Sequence, residues 1–77
     1  MTVRERVFKV VSQIMGVPID EIREDSSPET IAEWDSLKHM SLILGLEEEF
    51  GVNFGDEQIV KMLSVGLIIN ALKEITN

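Results

Sequence analysis

From Leu37 to Phe50 the chain carries fourteen residues whose apolar positions recur at helical spacing, and Gly51 closes the run. Placed at 100° per residue, Leu42, Ile43, Leu46 and Phe50 make one stripe, the width of an ordinary core face. Leu37, Met40 and Leu44 make a second stripe, turned roughly 60–160° from the first by the 3.6-residue period. Lys38, Ser41, Gly45, Glu48 and Glu49 remain as the polar side. Such a helix is either buried almost all round or offers its second stripe to a partner. In a small domain the partner gains weight, because Glu47 and Glu48 flank that stripe.

The flanking segments supply further helices. Thr2 followed by Glu5 has the capping-box pattern, and Val3, Val7, Val10, Val11 and Ile14 predict a first helix from about residue 3 to Met15. Valines are mediocre helix formers, so burial must hold it. Gly16 stops it, and Pro18 keeps it from resuming. After Gly51, Val52-Asn53-Phe54-Gly55 reads as a link with Phe54 turned inward. Asp56 reads as the cap of a brief helix through about Met62, with Ile59 and Met62 facing in. Ser64 caps a last helix carrying Val65, Ile68, Ile69, Leu72 and Ile75. Gly66 weakens its first turn by up to about 1 kcal/mol relative to Ala.

Between the first helix and the long one, Val17 to Trp34 shows no sustained period. Pro18, the Ser26-Ser27-Pro28 cluster and five acids by Glu29 mark an eighteen-residue connection, a length that is often functional. Val17, Ile19, Ile22 and Ile31 read as apolar pegs pinning it to the helices, and a short helical turn is expected near Pro28–Ala32, capped by Ser27. The expected fold is all-α: residues 1–77 as a single domain, a four-helix bundle with a long loop between helices 1 and 2 and a short third helix.

Composition removes the usual reinforcements. A core from 77 residues yields about 3–5 kcal/mol. With no cysteine and a single histidine, His39, the chain has no disulfide, no thiolate metal site and no His-based zinc site. Helix packing must carry the fold. The net charge of −7 argues against nucleic acid and anionic membranes as partners. No apolar run approaches the roughly 18 residues of a membrane span, and residues 1–6 lack a signal-peptide core. A cytoplasmic monomer is expected. The acidity is concentrated: residues 16–35 carry −6, whereas residues 1–15 carry +2. That loop is either simply solvated or attractive to basic partners.

Ser36 stands where the loop meets the long helix, with free backbone N–H groups and a positive dipole end that favour a phosphate. It could equally be only a helix start. Ser36 and His39 lie one turn apart, but a hydrolase would also want an orienting acid and an oxyanion hole, and no G-x-S-x-G elbow exists, so serine catalysis is remote. On the wheel His39 falls beside Leu46 and Phe50, as a wall or pocket-lip residue. Asp20, Glu21, Glu24 and Asp25 lack the alternation and central glycine of a calcium loop, and no Gly-rich phosphate loop is present. No catalytic residue and no metal site are expected; the chain does not read as an enzyme.

A serine at a helix N-terminus, an acid beside it and an apolar stripe framed by carboxylates remain. In these features the chain resembles the acyl carrier protein family. Asp35-Ser36-Leu37 matches the family's D-S-L attachment motif. The tripeptide alone is weak; at the start of this helix, in a chain of this length, acidity and helix order, it is specific. The resemblance implies that Ser36 anchors 4′-phosphopantetheine, attached by a phosphopantetheinyl transferase, and that acyl groups ride on the arm as thioesters. The missing cysteine is then explained, because the sulfur comes with the cofactor. It places Asp35 and Leu37 beside Ser36 at the modification site. It also places Leu37, Lys38, Met40, Leu44, Glu47 and Glu48 where carriers meet acyl-loading and acyl-processing enzymes with basic docking patches. Positions matching the family's acyl pocket are Leu46, Phe54, Ile59, Met62, Ile68 and Leu72, with bulky Phe54 implying a shallow pocket and a short or polar cargo.

The match has departures. Fatty-acid-synthesis carriers generally have a small residue before D-S-L and acids after it; here Trp34 precedes it and Lys38, His39 and Ser41 follow. The pattern favours a dedicated acyl, polyketide or aminoacyl pathway, and Trp34 is similar to the residue at this place in some D-alanyl carriers. Trp34 could also merely pin the loop. The alternative reading is an unmodified helical interaction module in which Ser36 is only an N-cap.

Overall fold

The two longest helices each begin and end on an identifiable backbone device. The computed structural model describes residues 2–76. The Thr2 hydroxyl accepts the Glu5 N–H at 3.1 Å and starts α1, Val3–Met15. Gly16 closes it at φ 70°, where its N–H reaches the Ser12 carbonyl at 2.9 Å. Gly51, at φ 65°, ends α2, Ser36–Phe50, in the same way on Glu47. Both positions need the left-handed backbone that glycine adopts without a Cβ clash. The remaining helices are α3, Asp56–Lys61, and α4, Val65–Thr76. Among the described residues there is no strand.

The helix order and the long loop follow the sequence expectation. α1 packs against both α2 and α4. Val7 and Val11 of α1, Leu42 and Leu46 of α2, and Val65, Ile68 and Leu72 of α4 have no exposed surface. Each such side chain contributes about 1.5–3 kcal/mol relative to its exposed state, which is what holds the β-branched α1. Phe54 and Met62 join the same core, and Ile59 packs against its edge.

Four local expectations change and one holds. Ile19 is not a peg: it lies 48% exposed at the start of a 3₁₀ turn, Ile19–Glu21, while Ile22 and Ile31 are buried. The helical turn expected near Pro28–Ala32 is present as a single turn, with the Thr30 and Ile31 N–H groups on the Ser27 carbonyl and the Glu29 N–H on its hydroxyl. Asp56 is the first residue of α3 rather than its cap; Gly55 takes that place, its N–H held by the Gln58 side chain at 3.0 Å. Gly45 is only partly exposed. It faces α1, where a Cβ would lie 3.4 Å from Val10 Cγ1. Ser36 does not cap α2, as described below.

The long loop is tied to the start of α4. The Ser26 carbonyl accepts the Val65 N–H at 2.9 Å and the Glu24 carbonyl accepts the Gly66 N–H at 2.8 Å. The Ser64 hydroxyl accepts the Leu67 N–H at 3.2 Å. Together they satisfy three N–H groups that the helix cannot satisfy itself. Ser26 is buried, and its hydroxyl accepts the Arg23 N–H. The loop that delivers Asp35 and Ser36 is thereby fixed at its middle.

Candidate functional site

Asp35 has extended backbone, and its Oδ1 accepts the Lys38 N–H at 2.9 Å. Its carbonyl accepts the His39 N–H at 2.8 Å. Asp35 is therefore the N-cap of α2, the role the alternative reading gave to Ser36. A carboxylate at a helix N-terminus also meets the positive end of the dipole favourably. Ser36 becomes the first helical residue. It is exposed, and among the described residues its hydroxyl makes no hydrogen bond. The N–H groups of Ser36 and Leu37 are likewise without a partner.

Beside Ser36 lies an open cleft of about 610 Å³. Trp34, His39 and Met40 line one side of it, and Ile59, Val60 and Leu63 the other; Pro28, Asp35 and Ser36 also border it. Its chemistry is apolar except at Asp35, Ser36 and His39. The imidazole is fully used. Trp34 Nε1–H donates to His39 Nδ1 at 3.0 Å, which leaves the ring proton on Nε2 to donate to the Ile59 carbonyl at 3.1 Å. The relay joins the loop, α2 and α3, and the two rings lie 6.1 Å apart at 21°. Sequence reasoning placed His39 as a pocket-lip residue but missed its partners. A buried indole N–H does demand an acceptor, and His39 is the nearby side chain that offers one.

The six expected pocket positions separate. Leu46, Phe54, Met62, Ile68 and Leu72 are at most 7% exposed, in the core. Of the six, only Ile59 lines the cleft beside Ser36. The second stripe of α2 is uncovered: Leu37 is 81% exposed, Leu44 62% and Met40 49%. Val60 and Leu63, across the cleft from Met40, are exposed too. Glu48 is exposed beside the stripe. Glu47 is partly committed, since one carboxylate oxygen accepts the Phe54 N–H at 2.8 Å. Lys38 reaches the Ile14 carbonyl at 3.2 Å.

No helix among the described residues is long and apolar enough to cross a membrane. No group of three His, Asp or Glu side chains there is close enough to hold a metal. An all-helical bundle with an uncapping, unbonded serine at the head of a half-uncovered helix is compatible with a carrier-type domain. The chain is similar in sequence to proteins described as acyl carrier proteins: that of Rickettsia bellii is 33% identical over 94% of this chain and 84% of its own. The one from Clostridium acetobutylicum is 36% identical over 90% of both chains, and the one from Nitratidesulfovibrio vulgaris 37% identical over 84% of this chain and 86% of its own. No family model matches the sequence. The chain belongs to the acyl carrier protein family, whose members are carriers and not enzymes.

Proposed function

We propose that Ser36 bears 4′-phosphopantetheine through a phosphodiester, and that the protein carries acyl or aminoacyl groups as thioesters on that arm. The observation that carries the reading is the division of labour at α2: Asp35 caps the helix, leaving the Ser36 hydroxyl exposed and unbonded. The site suits the group. The free Ser36 and Leu37 N–H groups and the dipole of a fifteen-residue helix favour a phosphodiester at this place. When bound, the arm supplies the thiol that a chain without cysteine lacks.

Asp35 holds the turn that presents Ser36, and its carboxylate stands beside the metal–phosphate chemistry of the modifying transferase. Leu37, Met40 and Leu44 form the surface on which the transferase and the acyl-loading and acyl-processing enzymes dock. Glu48 borders that surface, with Lys38 and Glu47 at its edges beyond their internal hydrogen bonds. Basic patches on those enzymes are steered by the −7 net charge, giving association that weakens as salt rises. The outer cleft receives the arm or its cargo, while Leu46, Phe54, Met62, Ile68 and Leu72 stay packed in the core. The departures at Trp34, Lys38, His39 and Ser41 from the fatty-acid-synthesis pattern support a dedicated pathway, which the protein serves as a cytoplasmic monomer of one domain.

Mass spectrometry after incubation with coenzyme A and a broad-specificity phosphopantetheinyl transferase tests the assignment. One arm is added to the wild type and none to Ser36→Ala. No gain with a transferase that modifies a control carrier refutes it and leaves an unmodified interaction module.

A further inference from the structure

The Trp34–His39–Ile59 relay lies between the cleft beside Ser36 and the core. Trp34 belongs to both: it lines the cleft, yet is only 2% exposed and packs in the core cluster. His39 projects from the first turn of α2 and holds the backbone of α3 through the Ile59 carbonyl, which also accepts the Met62 N–H at 3.3 Å. Leu46, Ile68 and Leu72, the residues a chain would have to displace to enter the bundle, line no part of this cleft. The imidazole spends both nitrogens inside the protein, so the cleft wall it forms offers no free donor or acceptor to a ligand. Opposite it stand Ile59, Val60 and Leu63.

We propose that His39 is a positioning residue that latches α3 onto α2, so that an acyl group carried on the arm lodges in the outer cleft and is kept out of the bundle core. The inference rests on the reading that Ser36 bears the arm. The latch selects by size and shape: a compact apolar acyl group is covered by Met40, Val60 and Leu63, whereas a longer straight chain extends beyond the cleft into solvent. Trp34 acts through His39, by fixing the ring proton on Nε2, where it meets α3.

The test uses the full chain with methyl-labelled Ile, Leu, Val and Met, loaded enzymatically from coenzyme A or octanoyl-coenzyme A. In the wild type, methyl shifts between the octanoyl and free-arm forms are confined to Met40, Ile59, Val60 and Leu63, and both forms melt at the same temperature. In His39→Ala, and in the milder Trp34→Phe, octanoylation shifts Leu46, Ile68 and Leu72 as well and raises the melting temperature above that of the free-arm variant. Shifts of Leu46, Ile68 and Leu72 in the octanoyl wild type overturn the latch while leaving the carrier reading intact. So do folded variants whose shifts stay in the outer cleft. Failure of any arm to attach under a competent transferase overturns both.

Discussion

Replacing Gly66 with alanine sets two effects of similar size against each other. Helix propensity alone favours the change by up to about 1 kcal/mol, and by less at the second position of a helix than in its interior. The surroundings oppose it. An alanine Cβ would sit 3.1 Å from the Glu24 carbonyl oxygen, where ordinary contact begins at 3.4 Å. That oxygen is not the end of a flexible side chain. It belongs to the backbone of the long loop, held against α4 by the Gly66 N–H at 2.8 Å and by the Val65 N–H on Ser26 at 2.9 Å. Relief of the contact must loosen one or both of those bonds, each contributing about 0.5–1.5 kcal/mol net. The loop cannot retreat freely, because Ser26 is buried and its hydroxyl is tied to Arg23. Gly66→Ala therefore destabilises the protein by about 1 kcal/mol, lowering the thermal midpoint by roughly 4–8 °C for a domain of this size. Gly45→Ala provides the opposite sign. Its Cβ meets only the side chains of Val10 and Ile14, at 3.4–3.7 Å, in the middle of α2, so the propensity gain of about 0.5–1 kcal/mol survives. Urea unfolding followed by the fluorescence of Trp34, the sole tryptophan, reads both. A higher midpoint for Gly66→Ala would refute the claim that the loop is rigidly seated on α4.

Asp35→Ala removes the cap of α2 and costs about 1 kcal/mol in a urea titration, while Asp35→Asn retains most of it because the amide oxygen still accepts the Lys38 N–H. Leu42→Ala empties a fully buried position and costs about 2–5 kcal/mol, enough to abolish the helical circular dichroism of so small a domain. Leu37→Ala, at a position 81% exposed, changes stability by less than about 0.5 kcal/mol yet slows modification by the transferase in a rate assay. Trp34→Phe keeps an aromatic ring but strands the half-buried His39 Nδ1 without its donor, costing about 1–3 kcal/mol by thermal circular dichroism.

The helices were legible because period and punctuation agree: valines and leucines repeat at helical spacing and Gly16 and Gly51 mark two of the ends. The starts of α2 and α3 were each misassigned by one residue. In Asp35-Ser36 and Gly55-Asp56 both neighbours are good caps, and only the backbone angles decide which one lies outside the helix. The seating of the long loop was not legible at all. It is made by the carbonyls of Glu24 and Ser26, which every residue possesses, on N–H groups of α4. The sole trace of it in the sequence is Gly66, which reads as a defect until the Glu24 carbonyl is seen against it. At the site, helix geometry marked Ser36 as a helix start that favours a phosphate and left the second stripe either buried or partner-facing, while the attachment role came from the D-S-L resemblance. The Trp34–His39–Ile59 relay did not, because it joins three elements whose relative placement no periodicity encodes.

That relay bears on how the departures from the family pattern act. From sequence, Lys38 dilutes the negative charge of the face that partners meet, and it sits at the wrong end of the α2 dipole, at a cost of a few tenths of a kcal/mol. In the structure its ammonium turns to the Ile14 carbonyl, at the C-terminal end of α1, where the dipole is negative and no basic residue stands in the last turn. The unfavourable position on one helix is offset by a favourable one on its neighbour. Lys38 thus joins α1 to α2, as Trp34 joins the loop to α2, while Lys38 stays exposed at the edge of the surface formed by Leu37, Met40, Leu44 and Glu48. A partner approaching that surface meets apolar side chains bordered by acid, as the net charge of −7 suggests. Of the departures, Trp34 and His39 line the cleft beside Ser36, whereas Lys38 and Ser41 stay exposed on α2.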